Sequence, residues 1–327
     1  MERAVFGTRT GEVIVGYGPF TALDKPPLGG VAFYKNDFAL SEKRPWLVPA
    51  RVEVLKSMPD EAPLEVTWEE PDPSGFTEVF REVTDAIAQG VIEKSVPVVT
   101  VKGKGRNPPD ALLASLLSLP PSLRPYGWIG EEGGFLGATP EVLFRYFDGR
   151  IYTMALAGTA RSDEKMLFAL DDKEIREHEF VAQTLIAKLS DLGMVIRKER
   201  GILDLGKLIH FQTLIKVELY QYEEIGFLIR RLHPTPALGP LPRTPETMAL
   251  LQDWRERLAC PKFFGAPFGF LRDGEFEALV AIRMMAWEGD DYFLPSGCGV
   301  IEESRLVNEW RELALKREAV REIFSKR

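Results

Sequence analysis

Two short stretches place carboxylates one helical turn apart. In Asp171-Asp172-Lys173-Glu174-Ile175-Arg176-Glu177-His178, Glu174 and Glu177 are spaced i, i+3, with His178 at i+4 from Glu174. In Glu309-Trp310-Arg311-Glu312 the same pair recurs, and Lys316 follows one turn after Glu312. Residues three and four apart share a helix face, so each stretch offers carboxylate oxygens side by side. Brought together, the two pairs would supply an all-oxygen donor set suited to a hard divalent cation, Mg²⁺ above all. Taken singly, each stretch reads more simply as a solvated helix face whose acids pair with Lys173, Arg176 and Arg311.

Elsewhere chemistry-bearing residues are sparse. His178, His210 and His233 are the only histidines, and each by itself reads as a hydrogen-bonded structural residue. Cys260 and Cys298 form no CxxC pair, which argues against a zinc site and a disulfide framework. Gly297-Cys298-Gly299 and Ala157-Gly158-Thr159 are small-residue segments at strand ends. Such segments serve tight packing, or else let backbone N–H groups approach an anion. Lys94 alone reads as a surface lysine. No GxGxxG or GxxxxGK[ST] follows a strand, so nucleotide-binding loops are absent.

These residues need a scaffold, and hydrophobic periodicity outlines one. The first 70 residues read as β-rich, with alternation at Val52 and Val54 and again at Leu64, Val66 and Trp68. Phe76, Val79, Phe80, Val83 and Ile87 then follow at helical spacing, with Gly90 as a stop. Lys94–Lys102 reads as a strand that Pro97 confines to an edge or bulge, and Asp110–Leu117 as a short helix. Val142–Phe147, the turn Asp148-Gly149 and Ile151–Ala157 make a hairpin. The first carboxylate stretch opens a long amphipathic helix from about Asp171 to Leu189. Leu203–Glu218 carries a strand, Glu223–Leu232 a helix, and Thr244-Pro245 opens another helix. Phe268–Leu271, Phe276–Trp287 and Tyr292–Ile301 form a meander ahead of a terminal helix that holds the second carboxylate stretch. Strands interrupted by helices, with antiparallel hairpins, indicate an α+β sandwich and not a doubly wound sheet. No linker separates independent units: a β-rich part, about 1–72, and the remainder, about 76–327, read as a single domain.

Composition narrows the function classes. The 327 residues include 41 Lys or Arg and 49 Asp or Glu, a formal net charge of −8. Nucleic-acid binding needs excess positive charge, so that class is excluded, although a small anion needs only a few placed cations. No apolar run spans a bilayer and the first residues lack a signal-peptide pattern. The expected setting is the cytoplasm.

Several segments, in order, carry a family resemblance. They are Gly90-Val-Ile-Glu-Lys94-Ser-Val, Gly137-Ala-Thr-Pro-Glu141-Val-Leu-Phe144, Ala155-Leu-Ala-Gly-Thr-Ala-Arg161 and the stretch Asp171 to His178. His210-Phe-Gln-Thr213, Leu232-His-Pro-Thr-Pro-Ala-Leu-Gly239, Val280-Ala-Ile-Arg283, Ser296-Gly-Cys-Gly-Val300 and the stretch Glu309 to Lys316 complete the series. The chain resembles the chorismate-binding enzymes: isochorismate synthase, salicylate synthase, and the first components of anthranilate and aminodeoxychorismate synthase. The resemblance covers roughly the C-terminal two-thirds. It implies a two-layer antiparallel β-sheet sandwich with flanking helices, an active site between the layers, and one Mg²⁺ per chain.

Within the family the residues favour isochorismate synthase. Ala157 stands where aminodeoxychorismate synthases commonly carry a nucleophilic lysine, and Lys94 stands where water-adding members keep a base that anthranilate synthases lack. The resemblance then implies Lys94 as the base that activates water for attack at C2 of chorismate. Glu141 becomes the acid that protonates the departing C4 oxygen. Glu177 and Glu312 would hold Mg²⁺, with Glu174 and Glu309 close by. Arg283 and Lys316, with the backbone of Gly297, Cys298 and Gly299, would bind the carboxylates, and Ala157, Gly158, Thr159 and His210 would line the site. No glutaminase subunit is expected, and the chain reads as a monomer feeding menaquinone or siderophore synthesis. Salicylate synthase, an amine-forming first component and a weakened chorismate-binding homologue are the alternatives. Two departures stand out: Val99 replaces a usual arginine, and Phe264 a usual tyrosine, so a hydroxyl near the substrate is missing.

Overall fold

The β-prone runs at the two ends of the chain pair with each other across long sequence separations. The computed structural model describes residues 1–58, 65–106 and 109–325, so Leu64 lies outside the described residues. The strands are β1 (Arg3–Gly7), β2 (Val13–Leu23), β3 (Val31–Lys35), β4 (Trp46–Leu55), β5 (Val66–Trp68) and β6 (Val98–Gly105). Then come β7 (Arg124–Ile129), β8 (Gly133–Thr139), β9 (Val142–Phe147), β10 (Arg150–Arg161), β11 (Gly193–Arg197), β12 (Gly201–Asp204) and β13 (Leu208–Leu219). The last are β14 (Pro267–Arg272), β15 (Glu275–Val280), β16 (Met284–Glu288) and β17 (Asp291–Gly297). All pairings are antiparallel. They form one path, β5–β6–β17–β16–β8–β7–β1–β2–β4–β3–β14–β15–β9–β10–β13, with β11 and β12 along the outer edge of β13.

The path doubles back, and its two arms pack face to face. Phe6 of β1 stacks on Phe270 of β14 with centroids 5.3 Å apart, and Tyr126 of β7 lies 5.9 Å from Phe268 of β14. The result is the two-layer α+β sandwich. Helices flank it: α1 (Ser74–Ala88), α2 (Pro109–Leu116), α3 (Lys165–Phe168), α4 (Asp172–Leu189), α5 (Ile225–Leu232), α6 (Pro245–Arg257) and α7 (Leu306–Ser325). In α1 the buried residues Phe76, Val79, Phe80 and Val83 form the apolar stripe that the spacing predicts. In α4 that stripe holds Val181, Ala182, Leu185 and Leu189, but also Glu177 and His178. Among the described residues no helix is long and apolar enough to cross a membrane.

β7, β8 and β11 are strands the sequence reading did not expect, and the Leu203–Glu218 region holds two strands, β12 and β13; three further departures lie near one place. Phe276–Trp287 is two strands, broken at Ala281–Arg283, where Arg283 adopts φ +55°. Positive φ strains a non-glycine residue, and such strain gathers at functional sites. The strand expected from Lys94 begins at Val98, after Pro97. Lys94 and Ser95 make only isolated bridges, to Leu241 and Val300. In Tyr292–Ile301 the continuous strand ends at Gly297, and beyond it only the isolated Val300–Ser95 bridge remains.

Candidate active site

The site is assembled where α4 and α7 meet β10, β13 and the broken β15–β16 connection. Asp171 caps α4 by accepting the Glu174 N–H at 3.1 Å. That places Glu174 in the first turn, where a helix favours negative charge. On the sheet side, the register of β10 against β13 shifts between Ala157 and Ala160. Gly158 lies in this bulge at φ +76°, a conformation glycine takes without strain. The bulge aims the Thr159 N–H at Glu174 Oε2 (2.8 Å) and the Gly158 carbonyl at His210 Nδ1 (2.8 Å).

His210 is thereby set as a neutral imidazole. Its Nδ1–H donates to Gly158, and Nε2 accepts from Arg283 Nη2 at 2.8 Å. Burial holds its pKa well below the ordinary range, and the nearby charges of Arg283 and Lys316 push the same way. Arg283 is buried, and among the described residues no carboxylate pairs with it. Burial pulls its pKa down to about 10.

Glu141 follows Pro140 in the tight connection between β8 and β9, where its N–H donates to Thr139 Oγ1 at 3.1 Å. It is buried, and burial raises its pKa to about 7 against the opposing pull of Lys94 and Lys316. The Thr235 side chain lies beside it. One cavity is bordered by Glu141, Arg283, His210, Glu177 and Lys316, and also by Ala157, Gly158, Thr159, Gly297 and Gly299. The sequence pattern thus assigns much of its wall, while Lys94, Cys298, Glu174, Glu309 and Glu312 do not border the cavity. Cys298 points into the hydrophobic core, and its N–H faces Pro97 O at 3.4 Å, so it offers nothing to a ligand. The Thr159 N–H, read as an anion donor, is already engaged by Glu174.

Lys94 is fully buried just behind this wall, its Nζ 3.0 Å from Glu177 Oε1 and without a well-angled hydrogen-bond acceptor. A surface lysine it is not. Gly299 explains the close approach, because a Cβ there would overlap the Glu177 carboxylate and crowd Lys94 Cε. Glu177 feels burial pushing its pKa up, yet Lys94, Lys173 and Lys316 outweigh that and hold it down at about 2.

The remaining carboxylates stand on the far side of the wall. Glu174, Glu309 and Glu312 border an outer recess that meets the inner cavity at Thr159. Burial raises Glu174 to about 8 and Glu309 to about 7, with neighbouring acids adding to both. Glu312 Oε1 pairs with Lys316 Nζ at 2.6 Å, and that ammonium also donates to Gly297 O at 2.8 Å. Among the described residues no three such acids stand close enough to hold an ion as they lie. The donor chemistry nonetheless fits Mg²⁺: the wall presents hard oxygens, and Glu309 Oε2 is buried with no hydrogen-bond partner.

Residues the sequence reading left without a role also take part. Ala237 and Leu238, in the segment Leu232–Gly239, border the cavity, and so does Phe264, the residue that stands where a tyrosine is usual. The solvated-face reading of the two helices is half right: Arg176 pairs with Glu303 and Arg311 with Glu164 at the surface, while Lys173 turns inward. His178 and His233 are structural, bonded to Thr213 Oγ1 and Phe38 O at 2.8 Å each.

Comparison with known proteins gives the family and the fold. The family model described as "Chorismate binding enzyme" matches residues 42–325. The chain is 34% identical over 203 residues to "Salicylate biosynthesis isochorismate synthase" of Pseudomonas aeruginosa, covering 58% of this chain and 42% of that protein. It is 26% identical over 266 residues to "Isochorismate synthase MenF" of Escherichia coli, covering 78% of this chain and 61% of the relative. The matches thus span less than two-thirds of these relatives' own length. In fold, the chain is similar to the solved structure of the menaquinone-specific isochorismate synthase MenF from Escherichia coli. The TM-score is 0.84 at 21% identity, over 99% of this chain and 89% of that one.

Proposed function

Because the chain belongs to the chorismate-binding enzyme family, we propose that it is an isochorismate synthase, adding water at C2 of chorismate with loss of the C4 hydroxyl. One juxtaposition carries the reading. A buried carboxyl raised to about 7, Glu141, and a buried guanidinium without an acidic partner, Arg283, face one cavity. The guanidinium suits a carboxylate of the substrate, which it grips through a two-pronged fork. His210 holds that fork in place. Glu141 keeps a proton to deliver to the C4 oxygen, a poor leaving group otherwise. Lys94 is the base that takes a proton from the attacking water, and acid and base each contribute about 10²–10⁴-fold.

Mg²⁺ held by Glu177 and Glu312, with Glu174 and Glu309 beside them, would supply a Lewis acid that neutralises the ring carboxylate. Ala157 leaves no lysine to attack the ring, and Lys94 offers the base that water, unlike ammonia, requires; together they support water as nucleophile with no need of a glutaminase subunit. The test is product identification after incubation with chorismate and Mg²⁺, with and without ammonium. Isochorismate in both is expected. Salicylate with pyruvate, or an amine product, would overturn the assignment.

A further inference from the structure

Lys173 is left without a task by the metal reading, yet it occupies the centre of the carboxylate wall. Its Nζ lies 2.9 Å from Glu174 Oε1, 3.2 Å from Glu177 Oε2 and 3.3 Å from Glu309 Oε1. An ammonium has three N–H donors, and here it meets three carboxylates. Those acids come from both α4 and α7, so Lys173 ties the two helices together at the point where an ion would tie them. Lys94 and Lys316 each meet one of the other oxygens and cross-link nothing comparable.

Access differs from one side of the wall to the other. The inner cavity is about 70 Å³, whereas the outer recess that Lys173 borders is about 510 Å³. The Lys173 side chain retains 17% exposure, and its four-carbon stem is flexible. The ammonium can therefore leave the acids by moving outward, without disturbing the inner cavity.

We propose that Lys173 is a resident counter-cation, which holds Glu174, Glu177 and Glu309 together in the metal-free protein and must swing into the outer recess when a divalent ion binds. The inference rests on the Mg²⁺ reading above. Two cations then compete for the same oxygens, so Lys173 weakens metal affinity while it stabilises the metal-free fold. Removing it leaves buried like charges facing each other, an arrangement that strongly destabilises a fold, until a metal replaces it.

The experiment is titration of Mg²⁺ into the full-length chain by calorimetry, without chorismate, together with thermal unfolding in EDTA and in Mg²⁺. Lys173→Met and Lys173→Gln should bind Mg²⁺ more tightly than the wild type, by about tenfold or more. Both should unfold at lower temperature in EDTA and recover most of the loss in Mg²⁺. Lys173→Arg, which keeps the charge, should stay near wild-type affinity. Equal or weaker Mg²⁺ binding by both neutral variants, or a stability loss that Mg²⁺ does not restore, overturns the proposal while leaving the metal reading intact. Absence of Mg²⁺ binding by all forms, wild type included, overturns both. Failure of both neutral variants to fold even in Mg²⁺ overturns the counter-cation role.

Discussion

Two regions of this molecule bury charge, and they do so in opposite ways. Between the layers, Arg124 of β7 meets Glu277 of β15 through Nη1 at 3.0 Å and Nη2 at 2.6 Å, and its Nε donates to Gly7 O at 2.7 Å. The guanidinium fork and the carboxylate are matched bond for bond. At the wall between α4 and α7, Glu174, Glu177, Glu309 and Glu312 face Lys94, Lys173 and Lys316. The acids outnumber the cations, and Glu309 Oε2 and Lys94 Nζ lack hydrogen-bond partners. A satisfied buried pair belongs to the fold. An unsatisfied one invites a ligand, because each orphaned group carries a desolvation cost that only a further partner removes.

The largest expected effect breaks catalysis and spares structure. Glu141→Gln keeps the shape of a buried side chain that holds a proton, but the amide cannot pass that proton to the C4 oxygen. Turnover should fall about 10²–10⁴-fold, while calorimetry with Mg²⁺ present should still find chorismate bound through Arg283. A variant that turns over briskly, or one that has simply lost chorismate, removes Glu141 from the role of acid.

Glu277→Ala should do the reverse. It strands the Arg124 guanidinium in the interior, at a cost of about 3–5 kcal/mol of stability, read as a lowered urea midpoint. Turnover per folded molecule should hold, since the pair touches neither the cavity nor the wall. A catalytic loss without a stability loss would erase the distinction between the two regions.

The sequence shows one region far more clearly than the other. The carboxylate pairs of α4 and α7 are legible because i, i+3 spacing is a local property, and so is the Asp171 cap that fixes the start of α4. The Arg124–Glu277 clamp is invisible: its partners are 153 residues apart, and only the face-to-face packing of the two arms that hold β7 and β15 brings them together. The strand break at Arg283 escapes for a different reason. Phe276–Trp287 is a nearly continuous apolar run that reads as one strand, and it is broken where Arg283 takes a left-handed backbone. Lys94 defies composition, which puts lysines outside, because Gly299 clears the space for it to reach Glu177.

A smaller effect is graded by pH. Glu141 has an ordinary value of 4.5 and about 7 in the fold. Between those values the folded chain holds a proton that the unfolded chain has released. Its contribution to stability is therefore present in full below about 4.5 and declines as pH rises to about 7. The acid also loses its proton through the same upper value, so kcat/KM should fall above about 7, by about tenfold per unit. Glu141→Gln should reduce the stability slope, leaving the part that Glu174 and Glu309, raised to about 8 and about 7, contribute in the same range. A slope of equal size in that variant would assign it to other groups.

The smallest effect sharpens the comparison most closely, because it concerns neighbours on one helix. Arg176 and Glu177 are adjacent in α4, yet the Arg176 side chain is 50% exposed and the Glu177 side chain 7%. Arg176 pairs with Glu303 at the surface, where water and salt screen the attraction and ordering two long side chains offsets much of the gain. Arg176→Ala should therefore change stability by no more than about 1 kcal/mol and leave turnover and Mg²⁺ affinity at the wild-type level. Glu177→Gln, one residue along, removes a carboxylate shared by Lys94 and Lys173 and should abolish Mg²⁺ binding. If the two variants behaved alike in calorimetry, burial and pairing would not be what separates a working carboxylate from a solvated one on this helix.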